Sequence, residues 1–236
     1  MRRLALAGRS CTDCPYQRDL TRSGTATGRV MSEPHTAIWM TGAYLGSLVI
    51  AGLVLMTLGA GQHGTLTGLQ LTARWSFCFF IPAYVGGAAT ALFGSAFRPL
   101  ARQGRNLGLA FASAHVTHLC FVAWIYYISI KPPLPLASAI FFGFAALLTY
   151  ALALFSIPAM TQKLPSWAWW GLRTLGMDLI AIAFLRDFLR NPFGGSLAHL
   201  AAYLPFVGVV FVALLIRLAA YGKQLQRRWL APQLAR

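Results

Sequence analysis

Acidic residues are scarce in this chain, which has 5 Asp and Glu among 236 residues against 20 Lys and Arg. Charged residues of both signs make up 11% of the sequence, less than half of the ~25% that is usual in soluble domains. The hydrophobic share is 57% and the mean hydropathy is +0.60. This composition excludes an ordinary soluble domain and predicts an integral membrane protein built as one bundle.

The formal net charge of +15 would favour nucleic-acid binding if the protein were soluble. Here the basic residues flank apolar runs, so membrane topology and anionic lipid headgroups explain the charge better. We therefore predict that the chain lies in a lipid bilayer and has no nucleic-acid partner.

Cysteine is also scarce, with four residues in the chain. Cys78 and Cys120 lie inside apolar runs, which is typical of small core side chains. Cys11 and Cys14 form a single CxxC pair in a polar segment, whereas a structural zinc site needs four ligands. We interpret this pair as part of a disordered tail rather than as a metal site.

Two basic tails are predicted at the ends of the chain. Residues 1–36 are polar, rich in Arg, Ser, Thr and Gly, and without an apolar stripe, so they predict a disordered cytoplasmic tail. Met31 is an alternative start, because the first apolar run begins a few residues after it. Residues 221–236 form the second basic tail.

Six apolar runs between residues 37 and 220 are each near the ~20 residues needed to cross the hydrocarbon of a bilayer. They predict an all-α, six-span helical bundle. Gly42 and Gly46 form a GxxxG pattern in the first run, which indicates close helix contact there. The predicted spans are 37–60, 75–97, 106–130, 136–158, 167–187 and 199–220.

Lys and Arg are concentrated in the two tails and in alternate connections between spans, and this bias predicts that both termini are cytoplasmic. In this topology, four basic residues fall on the external side, namely Arg74, Lys131, Arg186 and Arg190.

Two histidines, His115 and His118, lie inside the third predicted span, where an ionisable side chain is costly and is therefore a functional candidate. They are three residues apart and share one helical face. Because both project from one side of one helix, they cannot ligate opposite faces of one haem. At most one of them is an axial haem ligand, and a second ligand must come from another span. Position alone leaves two interpretations open: a ligand of a b-type haem in an apolar slot, or a histidine satisfied by a neighbouring hydroxyl or carbonyl.

The fifth predicted span carries Arg173, Asp178 and Arg186. Asp178 is near the centre of the span and needs a partner in the bundle interior, for which Arg173 and His115 are the candidates. We favour a buried polar pair that fixes packing over a proton-handling or haem-propionate site.

The sequence also lacks a Gly-rich nucleotide-binding motif after a strand, and we expect no soluble domain after the last span. If the chain carries electrons, they must come from a separate flavoprotein or from quinol. No inverted repeat is visible, which disfavours a transporter built around Asp178.

Four short motifs spread over residues 70–188 resemble the ferric-reductase-like transmembrane domain, and in particular the haem-binding membrane subunits of bacterial methionine-sulfoxide reductase systems. The second motif is followed nine residues later by His118, at the position of the third-span haem ligand of that family. The motifs are TARW at 72–75, RNLGL at 105–109, LALFS at 152–156 and WWGLR at 169–173.

The resemblance implies a multi-pass subunit of the bacterial inner membrane and an oxidoreductase subunit without its own nucleotide-binding domain. Electrons would pass from a cytoplasmic flavoprotein or quinol through haem b at His118, with His115 assisting, to a periplasmic acceptor. The family has two fifth-span histidines thirteen residues apart, where this chain has Arg173 and Arg186. A guanidinium stays protonated and is unsuitable as an iron ligand, so these arginines could pair with haem propionates instead. The alternative is a haem-free divergent member that acts as a membrane scaffold or partner-binding subunit.

Overall fold

The computed structural model describes residues 33–189 and 197–230, with side chains described over 35–189 and 200–226. The chain divides into two units, Met1–His35 and Thr36–Arg236, and the second contains the bundle. The predicted N-terminal tail, with Cys11, Cys14 and Met31, lies outside the described residues except for its last four positions.

The described residues are predominantly helical and contain no strand. Six of the seven α-helices in this part of the chain are long and apolar enough to cross a membrane. The chain is therefore a multi-pass membrane protein, and the predicted six-span helical architecture is confirmed. The helices are α1 (Glu33–Leu58), α2 (Gln62–Phe93), α3 (Arg98–Ile128), α4 (Leu136–Phe155), the short α5 (Pro158–Thr161), α6 (Ser166–Leu189) and α7 (Leu197–Leu230), with a 3₁₀ turn (Ser95–Phe97) between α2 and α3.

Three predicted boundaries differ from the helix ends by eight residues or more. Helix α3 begins at Arg98, whereas the third span was predicted to begin at residue 106. The second span begins at Gln62 rather than at residue 75, because the polar stretch before Arg74 is helical and buries small residues. The predicted tail after residue 220 continues as helix to Leu230. Arg74 therefore lies inside α2 and not in an external loop, and one of its terminal nitrogens donates to the Ala202 carbonyl of α7 at 3.3 Å.

The core is an aromatic cluster in which α2, α3 and α6 meet. The fully buried Phe80 ring lies 5.2 Å from the ring of Phe111 and 5.3 Å from that of Phe184, measured between centroids. The Phe77 ring packs edge-on against Phe184 and Phe188. Lipid tails are as apolar as these side chains, so the cluster stabilises the bundle through close packing rather than through removal of apolar surface from water.

The GxxxG pattern of α1 contributes one close contact rather than two. A Cβ atom on Gly46 would lie 2.5 Å from Cζ2 of Trp75, so the indole ring rests directly on the glycine. The Trp75 indole N–H also donates to the Ala43 carbonyl at 2.8 Å. Gly42 has open space beside it. The close helix contact predicted from the pattern is therefore made at Gly46 alone.

Candidate cofactor site

A cavity of about 900 Å³ lies between α2, α3, α4 and α6, with one α7 side chain at its edge. Its size is within the range of pockets that hold small molecules and cofactors, about 300–1,000 Å³. Most of the lining is apolar, and the α4 side is formed largely by small residues, which keep the space open. Those α4 residues are Ala139, Gly143, Ala145 and Ala146.

The cavity extends from the bundle interior towards the connection between α3 and α4, where Pro133 and Leu134 line it. The α1–α2 connection is at the same end of the bundle, because the Trp124 indole of α3 donates to the Ala60 carbonyl at 3.0 Å. The cavity therefore opens towards one end of the bundle while its inner part is among core residues such as Phe111.

His118 lines this cavity and is held by the backbone of α2. Its Nδ1 atom lies 3.2 Å from the Leu69 carbonyl oxygen and 3.4 Å from Oγ1 of Thr72. A carbonyl can only accept, so Nδ1 carries the proton and the lone pair is on Nε2. Nε2 has no hydrogen bond with any described residue. Metal-binding histidines commonly have this arrangement, in which the second ring nitrogen donates to a backbone carbonyl.

His115 lines the same cavity, and its ring stacks on that of His118 with 5.0 Å between centroids and 20° between planes. Its Nδ1 atom is buried without a hydrogen-bond partner among the described residues, and so is the hydroxyl of Tyr150, whose ring centroid is 6.4 Å away. A buried polar group left unpaired costs about 1–3 kcal/mol. One interpretation of these histidines was that a neighbouring hydroxyl or carbonyl satisfies their hydrogen bonding. This holds for Nδ1 of His118 and does not hold for Nδ1 of His115.

Arg173 and Arg186, for which the sequence resemblance suggested a role beside haem, are not among the residues that line the cavity. Arg173 and Arg186 are both exposed. Arg186 donates to the Ser138 hydroxyl at 3.1 Å, and its guanidinium lies 4.8 Å from the centroid of the Phe141 ring. No group of three or more His, Cys, Asp or Glu side chains that could hold a metal ion occurs among the described residues.

Asp178 has a different partner from the two that the sequence indicated. It pairs with Arg217 of α7, whose Nε lies 3.0 Å from Oδ1, and it also accepts a hydrogen bond from the Tyr84 hydroxyl at 2.9 Å. Arg173 is five residues away on the same helix, a spacing that turns the two side chains apart. An arginine inside the sixth predicted span was a signal for this partner, because a charge at membrane depth requires compensation. The pair does not line the cavity.

No protein-family model, curated protein or solved structure matches this chain. The ferric-reductase-like resemblance therefore rests on the four sequence motifs and His118.

Proposed function

We propose that the cavity binds a b-type haem with His118 as its axial protein ligand, and that the chain is a transmembrane electron-transfer subunit. The observation that carries this proposal is the arrangement of His118, whose side chain lines an apolar cavity. Its Nδ1–H is bonded to the Leu69 carbonyl, and its lone-pair nitrogen has no hydrogen bond with any residue that the structure describes. Haem, when bound, would supply reversible one-electron transfer.

The residues around the cavity suit a flat, largely apolar group. Ala183 and the small α4 residues leave room between helices, while Phe111 and Phe184 provide aromatic surface. His115 lines the same space, and its Nδ1 has no hydrogen-bond partner among the described residues. The α6 side contributes Ile180, Ala183, Phe184 and Asp187 to the lining, none of which has a nitrogen ligand, so His118 is the single described ligand that we assign.

Each group around the ligand would have a separate role. The hydrogen bond to Leu69 orients the His118 ring and increases the electron density on its lone-pair nitrogen. The apolar lining keeps water away, which lowers the local dielectric constant and influences the reduction potential of a bound centre. In this proposal a cytoplasmic flavoprotein or quinol donates the electrons, and a periplasmic acceptor receives them across the bacterial inner membrane.

The test is a reduced-minus-oxidised visible spectrum of the purified full chain after expression with haem supplied. We expect a Soret band and an α-band that disappear in His118→Ala and shift in His115→Ala. His63→Ala is the matched control, because His63 is exposed near the start of α2 and should leave the bands unchanged. A native protein without either band would overturn the proposal.

A second candidate function is a haem-free scaffold or partner-binding subunit that retains the bundle. It is favoured by one observation, the outward position of Arg173 and Arg186, which leaves α6 without a ligand where the family has two histidines. In this case the native protein has no haem bands after expression with haem supplied.

A further inference from the structure

We infer that residues 68–72 of α2 form a seat that fixes the orientation and tautomer of His118, and that Thr72 is the positioning residue of this seat. The inference concerns the protein without a ligand, and it deepens the proposed function because the seat determines which ring nitrogen is presented to iron. The link to haem rests on that proposed function.

The first component of the seat is the close approach of α3 to α2. A Cβ atom on Gly68 would lie 2.5 Å from Cζ of Phe121, which is three residues after His118 on α3. A contact of that length does not occur between real atoms, so a larger residue at position 68 would force the Phe121 ring to move. The approach places the His118 ring within hydrogen-bond distance of a helical backbone carbonyl, that of Leu69.

Thr72 is the second component and is fully buried. Its hydroxyl donates to the Gly68 carbonyl at 2.7 Å, the usual back-bond of a threonine within a helix. Because its proton is used there, the lone pairs of Oγ1 remain for the Nδ1–H of His118 at 3.4 Å. Thr72 therefore acts on the histidine as an acceptor.

The Leu69 carbonyl and the Thr72 hydroxyl together place two acceptors beside one ring nitrogen. The other tautomer, with the proton on Nε2, would bring the lone pair of the Leu69 carbonyl against that of Nδ1, and the Thr72 hydroxyl could donate to Nδ1 only by giving up its bond to the Gly68 carbonyl. A rotation of the ring would replace a hydrogen bond with a C–H contact. Both alternatives lose the interaction, so the seat keeps the Nε2 lone pair free for a ligand.

The experiment uses full-length protein with ¹⁵N-labelled histidine in lipid bilayers, without added haem. Solid-state NMR distinguishes a protonated ring nitrogen from one with a lone pair, and His118→Ala identifies the signals of this residue. We expect native His118 to be a single tautomer with the proton on Nδ1. A native spectrum with the proton on Nε2 would overturn the inference without any variant.

Thr72→Val removes the hydroxyl and nearly preserves the shape, and we expect it to populate the second tautomer to a measurable fraction. Thr72→Ser should retain the native spectrum. Thr65→Val is the matched control, because Thr65 is equally buried on α2 and back-bonds to the Gly61 carbonyl at 2.8 Å. A Thr72→Val spectrum identical to that of native protein would show that Thr72 does not position the ring.

The link to haem has its own readout. If haem binds, Thr72→Val should weaken the affinity of the protein for haem by about tenfold or more, because the variant loses the hydrogen bond between Thr72 and His118. The midpoint potential of the bound haem should rise, because the imidazole of His118 becomes a weaker electron donor. An absent haem band in native protein would refute the proposed function and leave the tautomer result intact. A bound haem whose potential is unchanged in Thr72→Val would refute the seat's effect on the ligand.

Discussion

Asp178 and Arg217 form an ion pair between α6 and α7, with 3.0 Å between Oδ1 of the carboxylate and Nε of the guanidinium. The two terminal nitrogens of Arg217 donate to the carbonyls of Tyr84 and Thr174 at 3.3 and 3.4 Å, and its guanidinium lies 4.4 Å from the centroid of the Tyr84 ring. The charge of each partner is thus compensated at membrane depth. The cluster connects α2, α6 and α7, as expected for a pair that fixes packing.

Removing one charge of this pair should destabilise the bundle. Arg217→Gln leaves the Asp178 carboxylate without a cation in an apolar environment, and loss of one partner of a buried pair costs about 3 kcal/mol or more. We expect a lower midpoint of thermal unfolding in detergent. Arg173→Gln is the control, because Arg173 is exposed and has no ion pair with any described residue. Equal midpoints for the two variants would contradict a stabilising role of the pair.

The double variant Asp178→Asn with Arg217→Gln provides a second check on the pair. It removes both charges, so the penalty of an unpaired carboxylate disappears and part of the stability should return. A double variant whose loss of stability exceeds the summed losses of the two single variants would contradict this expectation.

The two glycines of the GxxxG pattern should respond differently to alanine. Gly46→Ala forces a methyl group against the Trp75 ring, and overpacking of this kind costs about 1–3 kcal/mol. Gly42→Ala meets open space and should be neutral or stabilise the helix by up to about 1 kcal/mol. Thermal unfolding of both variants measures the difference, and equal destabilisation would show that Gly42 is also in contact.

Filling the cavity should exclude a cofactor without unfolding the protein. Gly143 lines the cavity and has no atom near the position of its missing Cβ, so Gly143→Leu should project into the cavity. We expect haem content to fall by about tenfold or more, which corresponds to about 1.4 kcal/mol of binding free energy.

The matched control for the cavity is Gly87→Leu, since Gly87 is exposed on α2 and also has open space beside it. This variant should retain the haem content of the native protein. Equal loss of haem in both variants would place the ligand elsewhere.

The basic residues predict that both termini are cytoplasmic, and reporter fusions measure this orientation directly. We expect alkaline phosphatase to be active when fused after residue 131, in the α3–α4 connection, and inactive when fused at the C-terminus, because segments rich in Lys and Arg remain inside. The reverse pattern of activities would invert the topology and with it the direction of the proposed electron transfer.

The spans were predictable because membrane-crossing helices have a local signal in their hydropathy. The start of α2 was missed because Gln62, His63 and several threonines lower the hydropathy of its first turns. Those turns bury Thr65 and Gly68, and the Thr65 hydroxyl is satisfied by the Gly61 carbonyl. The spacing of His115 and His118 was enough to predict that they share one helical face. The hydrogen bond from His118 to Leu69 could not be predicted, because it depends on where α2 lies beside α3.

The sequence by itself determined that the described part of this chain has six helices long and apolar enough to cross a membrane, because backbone groups in lipid must be satisfied within each segment and an apolar helix does so locally. Only the tertiary structure decided that Arg217 compensates Asp178, that Gly68 admits Phe121, and that Arg173 and Arg186 lie outside the cavity. The physical reason is that lipid and protein interior are equally apolar. Hydropathy therefore indicates which residues are in the membrane, whereas packing and hydrogen bonds between helices decide which of them meet.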